Sequence, residues 1–163
     1  KTTLAKELSA RLGIPHVELD GLYHQANWQP ANDEDFLASV KAATSGDSWV
    51  ICGNYYSKIG QEIWPQADTI IWCNYSFGRV FWQLLRRTLT RGARRAELWN
   101  GNRERLSALF TKDSIILWML KTWKKQTIRY EEMFHRSTLS ATLIRLKNPK
   151  ERREFLKSVN DKN

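Results

Sequence analysis

Apolar residues recur every four positions at the start of the chain, at Leu4, Leu8 and Leu12. That spacing predicts a helix over 3–12 with one buried stripe. Gly13 ends it and Pro15 keeps it from resuming. His16-Val17-Glu18-Leu19-Asp20 reads as a short strand, and 21–31 as a loop rich in aromatic and amide side chains. Asn32 is placed to cap a helix over 33–44, with Asp33, Glu34 and Asp35 set favourably against the helix dipole. Buried strands follow at 49–53 and 68–73, separated by a segment carrying Gly60 and Pro65. A helix over 79–90 turns Val80, Leu84 and Leu85 inward. Residues 92–112 lack a period, are rich in Arg, Asn and Gly, and read as a lid-like insertion. A long helix over 113–135, a strand over 142–146 and a helix from Pro149, where proline is tolerated, complete the pattern. Strands that alternate with helices predict a parallel sheet clothed on both faces, an α/β fold of three layers in a single domain, 1–163.

The chain has 163 residues, enough for a sizeable core, and no apolar run approaches the roughly 18 residues of a membrane span. The expectation is a cytoplasmic protein with no membrane partner. Cys52 and Cys73 sit at the ends of two apolar segments, make no metal-ligand spacing with each other, and are expected as reduced thiols. His24 and His135 likewise show no ligand spacing. The net charge of +9 favours anionic partners: nucleotides, phosphorylated metabolites or nucleic acid. It is not spread evenly. Between Arg79 and Arg105 lie eight arginines (79, 86, 87, 91, 94, 95, 103 and 105) against only Glu97 and Glu104, which suits bidentate phosphate recognition better than a solvated face.

The opening Lys1-Thr2-Thr3, running straight into a helix, matches the end of the phosphate-binding pattern Gly-x-x-x-x-Gly-Lys-Ser/Thr. In that pattern the lysine reaches the β- and γ-phosphates, the following hydroxyl binds Mg²⁺, and the helix points its positive end at the phosphates. The reading places the glycines and a first strand upstream of Lys1. A carboxylate at the end of the next strand, Asp20, then falls where it can hold Mg²⁺-bound water or orient a substrate hydroxyl. Gly53 and Asn54 end the following strand, where glycine permits close backbone approach to a ligand.

Residues 1–30 resemble the first segment of P-loop nucleoside and metabolite kinases of the adenylate kinase and shikimate kinase group. The likeness is closer to the DNA topology modulation, FlaR-like, proteins. It is carried by Leu19-Asp20, Trp28, Trp49 to Tyr55, Ala67 to Trp72, Leu84 to Arg91 and Glu97 to Glu104 in order, and so covers almost the whole chain. The chain departs from that pattern at Cys52, where an acid is expected, and at Cys73-Asn74, where Leu-Asp is expected. The resemblance implies an ATP-dependent phosphotransferase of three-layer P-loop fold with an arginine-bearing lid. Lys1, Thr2 and Thr3 would contact ATP, and Thr2 and Asp20 would sit at Mg²⁺. Arg87 and Arg91, four apart on one helix face, would contact ATP, with Arg94, Arg95 and Arg103 as further lid candidates. Pro149 would lie near the adenine.

Tyr23 and Trp28, in the loop after Asp20, can stack on a flat acceptor or anchor the loop. With Asp20, Gly53, Asn54 and Arg103 they make up the expected acceptor side. Trp49 and Trp72 are expected in the core, and Trp118 and Trp123 as packing residues of the long helix. The partners expected are ATP and an unidentified small-molecule acceptor, with the protein a monomer or homodimer. The alternative is a nucleotide-binding regulator that binds DNA through its basic region, although no helix-turn-helix, zinc-finger or RNA-recognition signature is present.

Overall fold

The computed structural model describes residues 1–94, 97–103, 114–136 and 140–159. They form helices α1 (Thr2–Leu12), α2 (Leu19–Tyr23), α3 (Asp33–Ala43), α4 (Tyr56–Ile63), α5 (Phe77–Arg94), α6 (Ile115–Arg136) and α7 (Pro149–Ser158). The strands are β1 (His16–Glu18), β2 (Val50–Cys52), β3 (Thr69–Cys73) and β4 (Thr142–Leu146). The chain divides into two compact units, one made by residues 1–67 with the chain from Pro149 onward, the other by Asp68–Asn148.

This architecture corrects the expected three-layer P-loop fold. The described residues contain no central sheet. They contain two separate two-stranded parallel sheets, β1 with β2 and β3 with β4, in a chain that is mostly helical. The physical reason lies in the connections. Each strand returns through helices to a parallel partner next to it, β1 to β2 by α2 and α3, and β3 to β4 by α5 and α6. Alternation of strand and helix is satisfied equally by one wound sheet and by two local pairs, because periodicity fixes the elements and not their ladder neighbours.

In the first unit, α1 buries Leu4, Ala5 and Leu8 and closes on Gly13, whose φ of 64° is the left-handed cap that glycine adopts without strain. Asn32 caps α3 as expected, its Oδ1 accepting from Asp35 N at 2.8 Å. Phe36 and Val40 of α3 are fully enclosed with Leu19, Ile59 and Ile63, and Trp49 packs against that cluster. Helix α4 occupies the segment between β2 and β3 that carries Gly60. Gly60 lies within it because the ring of Tyr56, one turn earlier, fills the space: a Cβ there would lie 2.2 Å from Tyr56 Cδ2. Arg152 of α7 reaches Glu7 of α1 at 3.0 Å. The strand expected over 16–20 stops at Glu18, so Asp20 stands in the first turn of α2 rather than at a strand end.

In the second unit, Trp72 of β3 stacks on Tyr130 of α6 at 5.6 Å and lies under the Arg145 guanidinium at 4.6 Å. Arg145 is also paired with Glu131. With its amide oxygen turned toward that guanidinium, Asn74 accepts from Arg145 Nε at 2.9 Å. Trp123 packs edge-on against Phe77 of α5, whereas Trp118 is exposed and is not the packing residue the helix pattern suggested. Of the expected lid, 92–94 continue α5 and 97–103 form a tight hairpin. Its three-residue loop, Trp99–Gly101, is closed by Asn102 N donating to Trp99 O at 3.1 Å, with Asn100 and Gly101 in the left-handed region at φ of 55° and 75°. Arg95, Glu104, Arg105 and the rest of 92–112 lie outside the described residues, as does the side chain of Arg94.

Candidate functional site

Parallel register sets Glu18 of β1 beside Cys52 of β2 at the C-terminal ends of the two strands. The first turn of α1 closes over the same ends. Thr2 Oγ1 donates to Glu18 Oε1 at 3.0 Å, and Cys52 Sγ lies 3.9 Å from Thr2 Oγ1. Lys1 is the N-cap residue of α1 and its carbonyl accepts from Ala5 N at 3.0 Å. Thr3 is exposed on the first turn. That turn carries no acidic side chain, so its positive end is not neutralised from within the helix.

His16 Nε2 lies 3.2 Å from Cys52 Sγ. A cysteine beside a histidine is the arrangement of a thiolate nucleophile, but here both groups are driven toward their neutral forms. Burial pushes the Cys52 thiol above its ordinary pKa, against the opposing hydrogen bond with Thr2. Burial pushes the His16 imidazole below its ordinary value, against the nearby charge of Glu18. The pair is a neutral thiol beside a neutral ring and lacks the activation a nucleophilic cysteine needs.

Two residues beyond Glu18, Asp20 Oδ1 accepts from the Tyr55 hydroxyl at 2.8 Å. Burial first, and then the charge of Asp20, hold the Tyr55 phenol far above its ordinary pKa, so it remains a donor. Tyr55 is fixed by rings on two sides, Tyr23 at 4.9 Å and Phe36 at 5.1 Å. The ring of Tyr23 also meets His24 at 5.3 Å, and His24 meets Trp28 at 5.5 Å. A row of aromatic side chains therefore runs from the Asp20 carboxylate out to the surface. Lys58 lies over Tyr23 and pairs with Asp33.

The loop that holds Trp28 is a narrow turn. Gln25 N donates to Gln29 O at 2.8 Å, and Asn27 and Trp28 both take a φ of 58°. This is the conformation adopted by Asn100-Gly101 in the second unit, with tryptophan where that turn has glycine. A left-handed conformation costs a non-glycine residue about 1–2 kcal/mol, and Trp28 bears it while 40% exposed.

The structure thus brings Thr2 to Glu18 and Cys52, and joins Asp20 to Tyr55, Tyr23 and the row ending in Trp28. A Cβ on Gly53 would lie 2.6 Å from Leu19 Cβ, so glycine here lets the chain after β2 pass the start of α2. Asn54 lies between β2 and α4, and Pro149 is the first residue of α7. Arg87 and Arg91 stand on α5 in the second unit, and Arg103, in the same unit, is paired with Glu97 at 3.0 Å. Glu18 and Tyr55 are the site residues that sequence reasoning missed. Alternation along β1 put Glu18 on the face opposite Val17, a signal that was present. The contact between Asp20 and Tyr55 spans 35 residues and had none.

Among the described residues no group of three His, Cys, Asp or Glu is arranged to hold a metal ion, and no helix is long and apolar enough to cross a membrane. No protein-family model, curated protein or solved structure matches the chain.

Proposed function

We propose that the chain is an ATP-dependent phosphotransferase that acts on a small-molecule acceptor, a nucleotide or nucleoside first among the candidates. The observation that carries this reading is the bond from Thr2 to Glu18 at the open, positive first turn of α1. It puts a hydroxyl, a carboxylate and the lysine of Lys1 around a helix N-terminus, the combination that suits a phosphate chain with a hard divalent cation. The donor set fits Mg²⁺: Thr2 and Glu18 offer oxygen, and Mg²⁺ is commonly held by one or two such groups together with water and substrate phosphates. Thr2 and Glu18 would hold the ion, which when bound neutralises charge on the phosphate oxygens.

Lys1 and Thr3 bind phosphate in this reading. Asp20 orients the acceptor. Tyr55 occupies one of its oxygens, and the other accepts the proton of the acceptor hydroxyl as that oxygen attacks the γ-phosphorus. The bond from the γ-phosphorus to the bridging oxygen breaks and ADP leaves. Tyr23 and Trp28 present ring surface to a flat acceptor.

The test is ADP release from Mg-ATP over a panel of nucleosides and nucleoside monophosphates. Acceptor-dependent release that falls by about 10²-fold or more in Asp20→Asn supports the assignment. Release that is the same with and without every acceptor, or that is unchanged in Asp20→Asn, overturns it.

A further inference from the structure

The two units differ sharply in charge. The span 68–148 holds sixteen Lys and Arg against six Asp and Glu, a net +10, while the remainder of the chain holds ten against eleven, a net −1. The excess is concentrated beside exposed apolar side chains. Along α5, Arg79, Trp82, Arg86 and Leu89 follow at spacings of three and four and share one helix face, and all four are exposed. Trp82 is 67% exposed and Leu89 46%. Along α6, Leu117, Lys121, Lys124 and Ile128 repeat the arrangement, with exposed Leu120 beside them. Thr88 and Met119, on other faces of these helices, are buried, so both helices are oriented by packing and the exposed faces are not frayed ends. Among the described residues none of Arg79, Arg86, Lys121, Lys124 or Lys125 carries an ion pair.

We infer that the outward faces of α5 and α6 dock on an anionic lipid bilayer, as a peripheral surface and independently of the catalytic reading. The occupant follows from charge and chemistry together. A second copy of the chain would bring another net +10 against the same faces and be repelled. A nucleic acid would satisfy the cations, but protein–nucleic acid interfaces are strongly polar and would give Leu89, Leu117, Leu120 and Ile128 little to pack on. At a bilayer interface each side chain has a place. Arginine and lysine meet lipid phosphate, the tryptophans sit at headgroup level, and leucine and isoleucine enter the boundary with the acyl chains. The helices would lie on the membrane, not cross it: no described helix is long and apolar enough to span.

The experiment is co-sedimentation of the full chain with large unilamellar vesicles of phosphatidylcholine alone, or with about one third phosphatidylglycerol. The expected result is partition onto the anionic vesicles, little onto the neutral ones, and weakening at high salt. Removing one cation in Arg86→Ala is expected to lower the partition coefficient about fivefold. Removing the most exposed ring in Trp82→Ser is expected to lower it about tenfold. Both positions are exposed, and circular dichroism checks that each variant folds. A reading on the unaltered protein is quenching of its tryptophan fluorescence by bromine-labelled acyl chains in the anionic vesicles. The inference is overturned by absence of partition, by equal partition onto neutral vesicles, by Trp82→Ser binding as well as the parent, or by no quenching. A chain that binds duplex DNA oligonucleotides and ignores vesicles also overturns it and moves the surface to nucleic acid.

Discussion

Gly53 offers the sharpest separation between a packing role and a ligand role. In Gly53→Ala the new Cβ would stand 2.6 Å from Leu19 Cβ and 2.8 Å from Leu19 Cδ1. Leu19 is 3% exposed and begins the helix that carries Asp20, so it has nowhere free to move. Overpacking of this kind costs about 1–3 kcal/mol. Alanine returns about 0.4–1 kcal/mol by restricting the unfolded chain, because the backbone at 53 does not require positive φ. The net expectation is a loss of about 1–2 kcal/mol, read as a lower urea midpoint with unchanged slope. Leu19→Ala alone should cost about 2–5 kcal/mol through the cavity it leaves. That background loses the Cγ and Cδ1 contacts but keeps Leu19 Cβ, so part of the clash remains, and Gly53→Ala should cost less than in the parent, a coupling of about 0.5–1.5 kcal/mol. If Gly53→Ala stabilises the parent protein, or if the two changes simply add, the close approach of β2 to α2 is wrong. If it leaves stability alone and abolishes nucleotide binding, glycine at 53 serves a ligand and not Leu19.

Four further outcomes follow from the same structure. Tyr55→Phe keeps the ring between Tyr23 and Phe36 but removes the donor to Asp20; we expect a loss of about 1–2 kcal/mol in denaturant. His16 has its pKa lowered on folding, so protonation favours the unfolded chain: stability is complete above the unfolded value near 6.5 and is lost as pH falls below it. A pH series of melting curves should lose that acid-side slope in His16→Gln. Cys52, a neutral and buried thiol, should react with iodoacetamide more slowly than Cys73 at neutral pH and catch up when the chain is unfolded. Trp28→Gly should change stability little, because relief of the left-handed backbone offsets the lost contact with His24, yet it should weaken binding of any nucleoside that supports ADP release.

Several elements are legible in the sequence itself. Leu4, Leu8 and Leu12 marked α1, Gly13 its end, and Asn32 the cap of α3, because short-range periodicity and capping chemistry act within a few residues. Helix α4 is not evident in the sequence, where Gly60 and Pro65 punctuate the segment between the two strands. The counter-signal was Ile59 and Ile63, four apart and both buried. Gly60 turned out to answer Tyr56, a contact within the helix itself. Asp20 was read as the end of a strand that stops two residues earlier, because a run of five alternating residues does not show where a helix takes over. The sheet was misread for a deeper reason. Which strand pairs with which is a long-range property, and the two separate pairs here satisfy the same local pattern as one continuous sheet. The site divides the same way. Thr2 and Asp20 are visible as residue types, whereas their partners Glu18 and Tyr55 depend on strand register and on a contact between α2 and the N-cap of α4.

The central claim is that the first turn of α1 holds the phosphates of a Mg-nucleotide. Isothermal titration of the chain with Mg-ATP, beside Lys1→Ala and Thr2→Val, tests it most directly. The account predicts saturable binding that weakens about tenfold or more in Lys1→Ala and loses its Mg²⁺ dependence in Thr2→Val. Binding that is the same in all three proteins, or no binding in any of them, contradicts it.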